Sequence, residues 1–201
     1  MGVDSNMEIR QFGNSAGKTV MLLHGSLMCW RQFEDVIPLL EKDYCIYAVS
    51  FDGFDGTGKT TYTTAREQAR KLEAYLLKNC GGVLDALFAE SLGCGSAIFL
   101  QASPHLKIRR MILSGPEYLD FGILNRPILK IMPQKQYRTA HEKTMPAWAL
   151  RFMGQTEQGM NTMLSRIPDN ISLESVRATW EVGLYLYRTS LPPQPDAAVA
   201  C

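Results

Sequence analysis

Histidine is scarce in this sequence. Only His24, His105 and His141 occur in 201 residues, so few imidazole bases are on offer within this sequence. Charge of one sign is also lacking. Lys plus Arg number 21 against 20 Asp plus Glu, and the signs are interspersed, which argues against nucleic acid as an electrostatic partner. No run of about 18 apolar residues occurs, so no membrane span is expected. The polar start, Met1 to Gly13, has no signal-peptide core. The five cysteines (Cys29, Cys45, Cys80, Cys94 and Cys201) are odd in number and form no C-x-x-C pair. That pattern excludes a disulfide framework and fits free thiols in a reducing cytosol, so a cytoplasmic protein is expected. No metal or cofactor motif emerges from these residues.

Four strand-sized apolar runs are present: Lys18 to Gly25, Tyr44 to Phe51, Val83 to Ser91 and Arg109 to Gly115. Each is rich in β-branched or bulky apolar residues and closes on Gly, Ser or Asp. Between them lie segments with helical spacing. The first places Phe33, Ile37 and Leu40 on one side. The second places Ala65, Ala69, Leu72, Leu76 and Cys80 on one stripe and ends at Gly81. The third is a small-residue helix after Ser91. Buried strands alternating with helices predict an α/β fold, a three-layer α/β/α sandwich with a mostly parallel sheet. Residues 117–192 differ. They are Met- and aromatic-rich and mostly helical in pattern, with Pro127, Pro133, Pro146 and Pro168 as breaks. The expected organisation is therefore a core of 1–116 and 193–201 interrupted by a helical lid, with a last strand near "AAVAC".

Two motifs compete for the function. Gly53, Gly58, Lys59 and Thr60 match G-x-x-x-x-G-K-T, the phosphate-binding P-loop. A P-loop works because its helix begins at the G-K-T, so that free N–H groups meet the phosphates. Here Thr64 and Glu67 form a capping-box pattern that moves the helix start beyond Lys59. Asp85 also lies inside an apolar run, not at the end where a magnesium-holding Asp belongs. Nucleotide binding is the minor alternative, and a Gly-rich strand-exit turn accounts for the match.

The second motif is Ala89-Glu90-Ser91-Leu92-Gly93, which follows a strand and opens a helix. It is the G-x-S-x-G nucleophile elbow with Ala for the first Gly. Small residues must flank the serine because the strand-to-helix turn is sharp and the serine takes a strained conformation. Ser91 is therefore the candidate catalytic nucleophile.

In combination, strand-"HGSL", strand-"FDGFDGTG" and strand-"AESLGCGSA" resemble the α/β-hydrolase family, and the resemblance spans about Met7 to Cys201. It implies that the loop after His24-Gly25 completes an oxyanion hole, with the N–H groups of Ser26 and Leu92 as donors. His24 is then expected to shape the turn. Asp52 and the glycines of the middle motif (Gly53, Gly56 and Gly58) become a strand-exit loop. The family order of Ser, acid and His further implies an acid and a His beyond Cys201, so the 201-residue chain is expected to be truncated and to have little activity. In a second arrangement His141 swings onto Ser91, with Glu117 or Asp120 as its orienter. His105 is expected to be a solvated loop residue. The expected activity is hydrolysis of a carboxylic ester, a small-molecule acyl substrate, through an acyl-enzyme and with no cofactor. A non-catalytic binding protein of the same fold is the alternative. Trp148, Phe152, Met153, Met160, Met163 and Trp180 either line an acyl pocket or bury the lid helices.

Overall fold

A computed structural model describes residues 7–115, 120–144 and 156–184 in full, and 185 and 198–200 as backbone. Its centre is a six-stranded sheet of β1 (Glu8–Gly13), β2 (Lys18–Leu23), β3 (Tyr44–Ser50), β5 (Ala86–Glu90), β7 (Arg110–Ser114) and β8 (Ala198–Ala200). The spatial order is β1-β3-β2-β5-β7-β8. β1 runs antiparallel to β3, and every other pair is parallel. Two short segments, β4 (Val83–Leu84) and β6 (Lys107–Ile108), pair with each other outside this sheet.

The helices explain why the strands read as continuous apolar runs. On one face lie α2 (Ala65–Cys80) and α3 (Leu92–Gln101), packed together. Ala65, Ala69, Leu72 and Leu76 of α2 are buried, the stripe that the spacing predicts. Ala69, Leu72 and Leu76 meet Met21, Leu23, Val49, Leu87 and Met111 from the sheet. On the other face a 3₁₀ turn (Trp30–Phe33) and the one-turn α1 (Ile37–Leu40) cover Val20, Leu22, Ile46 and Ala48. The molecule is thus a three-layer α/β/α sandwich. Helices α4 (Asn125–Glu142), α5 (Glu157–Ser165) and α6 (Leu173–Tyr185) lie between β7 and β8 in the chain, and α6 packs on α4 and α3.

Four local expectations need correction. Strand β1 is unexpected from the sequence, because its residues are half-buried or exposed on a sheet edge and form no apolar run. The strand expected from Val83 to Ser91 breaks at Asp85. That carboxylate accepts from the Thr19 N–H (2.9 Å) and hydroxyl (3.2 Å) and faces Arg109 at 3.6 Å. The segment from Trp30 is not one helix. Pro38 in α1 lacks an N–H to continue a ladder, yet Phe33 and Ile37 are buried as the spacing requires. Pro133, read as a break, lies buried inside α4. Pro146, Trp148, Phe152 and Met153 lie outside the described residues.

Candidate active site

β2 ends at Leu23, and the chain turns through His24 and Gly25. His24 is fully buried. The Phe51 N–H donates to its Nε2 at 3.0 Å, so that nitrogen carries no proton. Its Nδ1–H therefore donates to the Gly25 carbonyl at 2.7 Å. Burial holds the ring neutral, with its pKa lowered to about 4, against a smaller opposing effect of the Gly25 carbonyl. Both nitrogens are committed, so His24 shapes a turn and is not free to take a proton from a nucleophile.

The Gly25 carbonyl also accepts from the Met28 N–H at 3.3 Å, and the Gly25 N–H donates to Gln32 Oε1 at 2.9 Å. With both polar groups of Gly25 occupied, the N–H of the next residue, Ser26, is the first in this loop with no partner among the described residues. The loop reaches the elbow directly. A Cβ built on Gly25 would lie 3.6 Å from Ser91 Cβ.

Ser91 sits between β5 and α3 with φ 46° and ψ −108°, a left-handed conformation that is strained for a residue with a Cβ. Its N–H is held by the Ser114 carbonyl at 2.9 Å, and its carbonyl accepts from the Cys94 N–H at 3.0 Å. Leu92 is the first residue of α3, so its N–H has no intrahelical acceptor. Gly93 permits this junction. A Cβ there would lie 2.8 Å from the Leu23 carbonyl oxygen and 2.9 Å from Leu23 Cβ. The strand-to-helix turn and the His24-Gly25 loop are thus packed together by the small residues that the motif demands.

Gln32, which belongs to no motif, and Glu90, the residue before Ser91, complete the site. Gln32 donates from Nε2 to Glu90 Oε2 at 2.5 Å while its Oε1 holds Gly25. It ties the carboxyl beside Ser91 to the loop above. Burial pushes the Glu90 carboxyl up, and the Gln32 bond opposes that only in part. Gln32 also lines an open cleft of about 510 Å³ between the 28–35 segment and α5, with Met28, Asp35, Thr162, Met163 and Arg166. Arg166 crosses this cleft edge to Asp35 at 2.6 Å and to Glu34 at 3.6 Å. Of the Met and Trp residues considered for an acyl pocket, Met163 faces this cleft, and Met160 is buried in the core. Trp180 packs on the core and donates to Gln136 at 2.6 Å.

The G-x-x-x-x-G-K-T stretch is built differently from a phosphate cradle. α2 begins at Ala65, capped by Thr64, whose hydroxyl accepts from the Glu67 N–H at 3.1 Å. Glu67 completes only half of a capping box, because its carboxylate turns to Arg70 at 2.7 Å. Lys59 and Thr60 therefore lie before the helix. The loop is filled from within: the Asp55 carboxylate accepts from the Thr57 N–H (2.8 Å) and the Thr57 (2.8 Å) and Thr60 (2.8 Å) hydroxyls. Thr60 Oγ1 in turn accepts from the Gly53 N–H at 2.7 Å. The Thr57 and Thr60 hydroxyls are thus committed to Asp55, and the helix N-terminus that a P-loop aims at a phosphate lies beyond Lys59.

The remaining candidates stand apart from Ser91. His105 is exposed in the turn after α3. His141 is exposed at the end of α4, where Nδ1 bonds the Tyr137 carbonyl at 3.0 Å and the ring lies 4.0 Å from that of Tyr137. Asp120 Oδ1 accepts from the Gly122 N–H and from Asn125, both at 2.9 Å. Glu117 lies outside the described residues. Among the described residues no histidine is hydrogen-bonded to Ser91, and no group of three potential metal ligands is assembled.

Comparison with known proteins agrees with this architecture. A model of the alpha/beta hydrolase family matches residues 20–200. The chain belongs to the alpha/beta hydrolase family. Among solved structures, it is similar to an alpha/beta hydrolase family protein from Desulfitobacterium hafniense at TM-score 0.76 and 20% identity, covering 96% of this chain and 78% of that one. It is also similar to a carboxylesterase structure from Nitrososphaera gargenis at TM-score 0.71 and 16% identity, covering 96% and 72%. A thermophilic esterase from Thermogutta terrifontis aligns at TM-score 0.65 and 15% identity, covering 88% and 66%. No curated protein matches the chain. At these identities the likeness is one of fold.

Proposed function

We propose that this alpha/beta hydrolase is a serine hydrolase that cleaves carboxylic esters through an acyl-enzyme on Ser91. The observation that carries the reading is the strained φ of 46° at Ser91, directly beneath the His24-Gly25 loop. Strain of this kind persists only where the surroundings impose it, and it turns the side chain out of the strand-to-helix corner. Ser91 Oγ would attack the ester carbonyl carbon, and its proton would leave to a base. The charge that grows on the carbonyl oxygen would be received by the N–H groups of Ser26 and Leu92. Collapse of that intermediate releases the alcohol, and water then hydrolyses the acyl-serine. Helices α4 to α6 act as a lid, and the cleft beside Gln32, with Met28 and Met163 on its wall, is the place for a short or medium acyl chain.

None of the described histidines is hydrogen-bonded to Ser91. His24 is committed to the turn, and His105 and His141 are exposed elsewhere. That observation favours, as a second reading, a binding protein of the same fold that retains the cleft without turnover. Chemical rescue separates the two. Imidazole added to the protein with p-nitrophenyl acetate should raise hydrolysis above the imidazole blank, with the excess lost in Ser91→Ala. An excess that survives in Ser91→Ala removes Ser91 from the mechanism. Cleft ligands detected by calorimetry with no Ser91-dependent excess favour the binding protein.

A further inference from the structure

The segment that opens α4 presents apolar side chains to solvent in an ordered way. Ile123 is 92% exposed, Leu124 54%, Ile131 52% and Phe121 44%. Scattered exposed apolar residues are ordinary, but four within eleven consecutive positions are not. Leu124, the N-cap of α4, and Ile131 are seven residues apart, about 20° at 100° per residue, so they lie on one side of the helix, and Ile123 and Phe121 precede them in and before the 3₁₀ turn. The opposite side is occupied: Asn125, Pro133 and Ala140 are buried against the body.

The presentation is braced. The Phe121 N–H donates to Asn125 Oδ1 at 3.0 Å, Asn125 Nδ2 donates to Asp120 Oδ1 at 2.9 Å, and the Gly122 N–H donates to the same oxygen at 2.9 Å. Asn125 is itself buried. This interlock holds the 3₁₀ turn (Gly122–Leu124) with its isoleucine outward.

Cations flank the apolar side. Lys130 lies at one edge and Lys135 at the other, and Arg126 sits beside Lys130; all three are exposed. None of them has an acidic partner among the described residues. The whole chain carries a net charge of only +1, so this concentration is local. An apolar stripe edged by unpaired Lys and Arg has the composition of helices that lie in the headgroup region of anionic bilayers.

We propose that the α4 face docks the protein onto an anionic lipid surface, with Ile123, Leu124 and Ile131 entering the headgroup boundary and Arg126, Lys130 and Lys135 on the lipid phosphates. It is a peripheral contact: no described helix is long and apolar enough to cross a membrane. The proposal does not depend on Ser91 chemistry, and Ser91→Ala should bind vesicles as the parent does.

Co-sedimentation tests it, with vesicles of phosphatidylcholine alone and with about 30% phosphatidylglycerol. The parent is expected to sediment with the anionic vesicles, more weakly with neutral ones, and less in high salt. Lys130→Glu/Lys135→Glu and Ile123→Glu/Ile131→Glu should each lower the partition by roughly tenfold or more, with circular dichroism confirming the fold. Failure of the parent to bind anionic vesicles overturns the proposal, as does binding unchanged in both double variants. A parent that is dimeric by light scattering, becomes monomeric in Ile123→Glu/Ile131→Glu and ignores vesicles would assign the face to a second copy instead.

Discussion

Gln32 holds two parts of the site at once, the Gly25 N–H and the Glu90 carboxyl. Gln32→Ala would leave the half-buried Glu90 without that donor and the Gly25 N–H without its acceptor. A cost of about 1–3 kcal/mol is expected in urea unfolding. Glu90 lies 58 positions from Gln32 in the chain, so no local pattern reveals that bond. The strand-to-helix turn at Ser91 was legible because its pattern spans five consecutive positions, although the Leu23 backbone that demands Gly93 is remote in the chain.

His24 sets a pH dependence. Its folded pKa of about 4 lies below the ordinary 6.5. Between those values the unfolded chain binds a proton that the folded chain does not. Stability therefore rises with pH through this window and is lost as pH falls from 6.5 toward 4, by about 2–3 kcal/mol. Urea midpoints at pH 7 and 4.5 should show this slope in the parent and a shallower one in His24→Gln. Equal slopes would mean that the buried ring is protonated as readily as in the unfolded chain.

At the scale of elements, the loop from Asp52 to Tyr62 is where the helical segment meets the sheet. The Ser175 hydroxyl of α6 accepts from the Tyr62 N–H at 3.1 Å, and Asn170 Nδ2 donates to the Gly56 carbonyl at 3.1 Å. Gly53, with φ 77°, leaves room for this. A Cβ there would collide with Ser175 Oγ and lie 2.7 Å from the Tyr62 nitrogen. Gly53→Ala is expected to destabilise by about 2 kcal/mol or more in thermal or urea unfolding. A neutral result would mean that α6 does not seat on the loop. The glycine pattern was visible in the sequence. Its cause was not, because Ser175 lies 113 positions from Tyr62. The helix start was read correctly from Thr64 and Glu67, since capping is local. Thr64→Ala should cost about 1 kcal/mol.

For the whole molecule, the parallel order of the core strands followed from the alternation of apolar runs and helices. Edge strand β1 did not, because an edge needs no continuous apolar run. The two sides of β7 make a prediction about the sheet. Met111 is 2% exposed and faces the main core, whereas Ile112 is 46% exposed. Met111→Ala should cost about 2–5 kcal/mol and Ile112→Thr well under about 1 kcal/mol. Comparable costs would show that Ile112 is covered in solution.

The alpha/beta hydrolase fold holds Ser91 at the end of the central strand, beneath the Gly25 loop, and the account rests on that serine being the nucleophile. The most direct test is covalent labelling with a fluorophosphonate, with and without added imidazole, mapped by tandem mass spectrometry. A single modified serine is expected, Ser91, labelled faster with imidazole and unlabelled in Ser91→Ala. Equal labelling of the parent and Ser91→Ala, or modification at another serine alone, would contradict it.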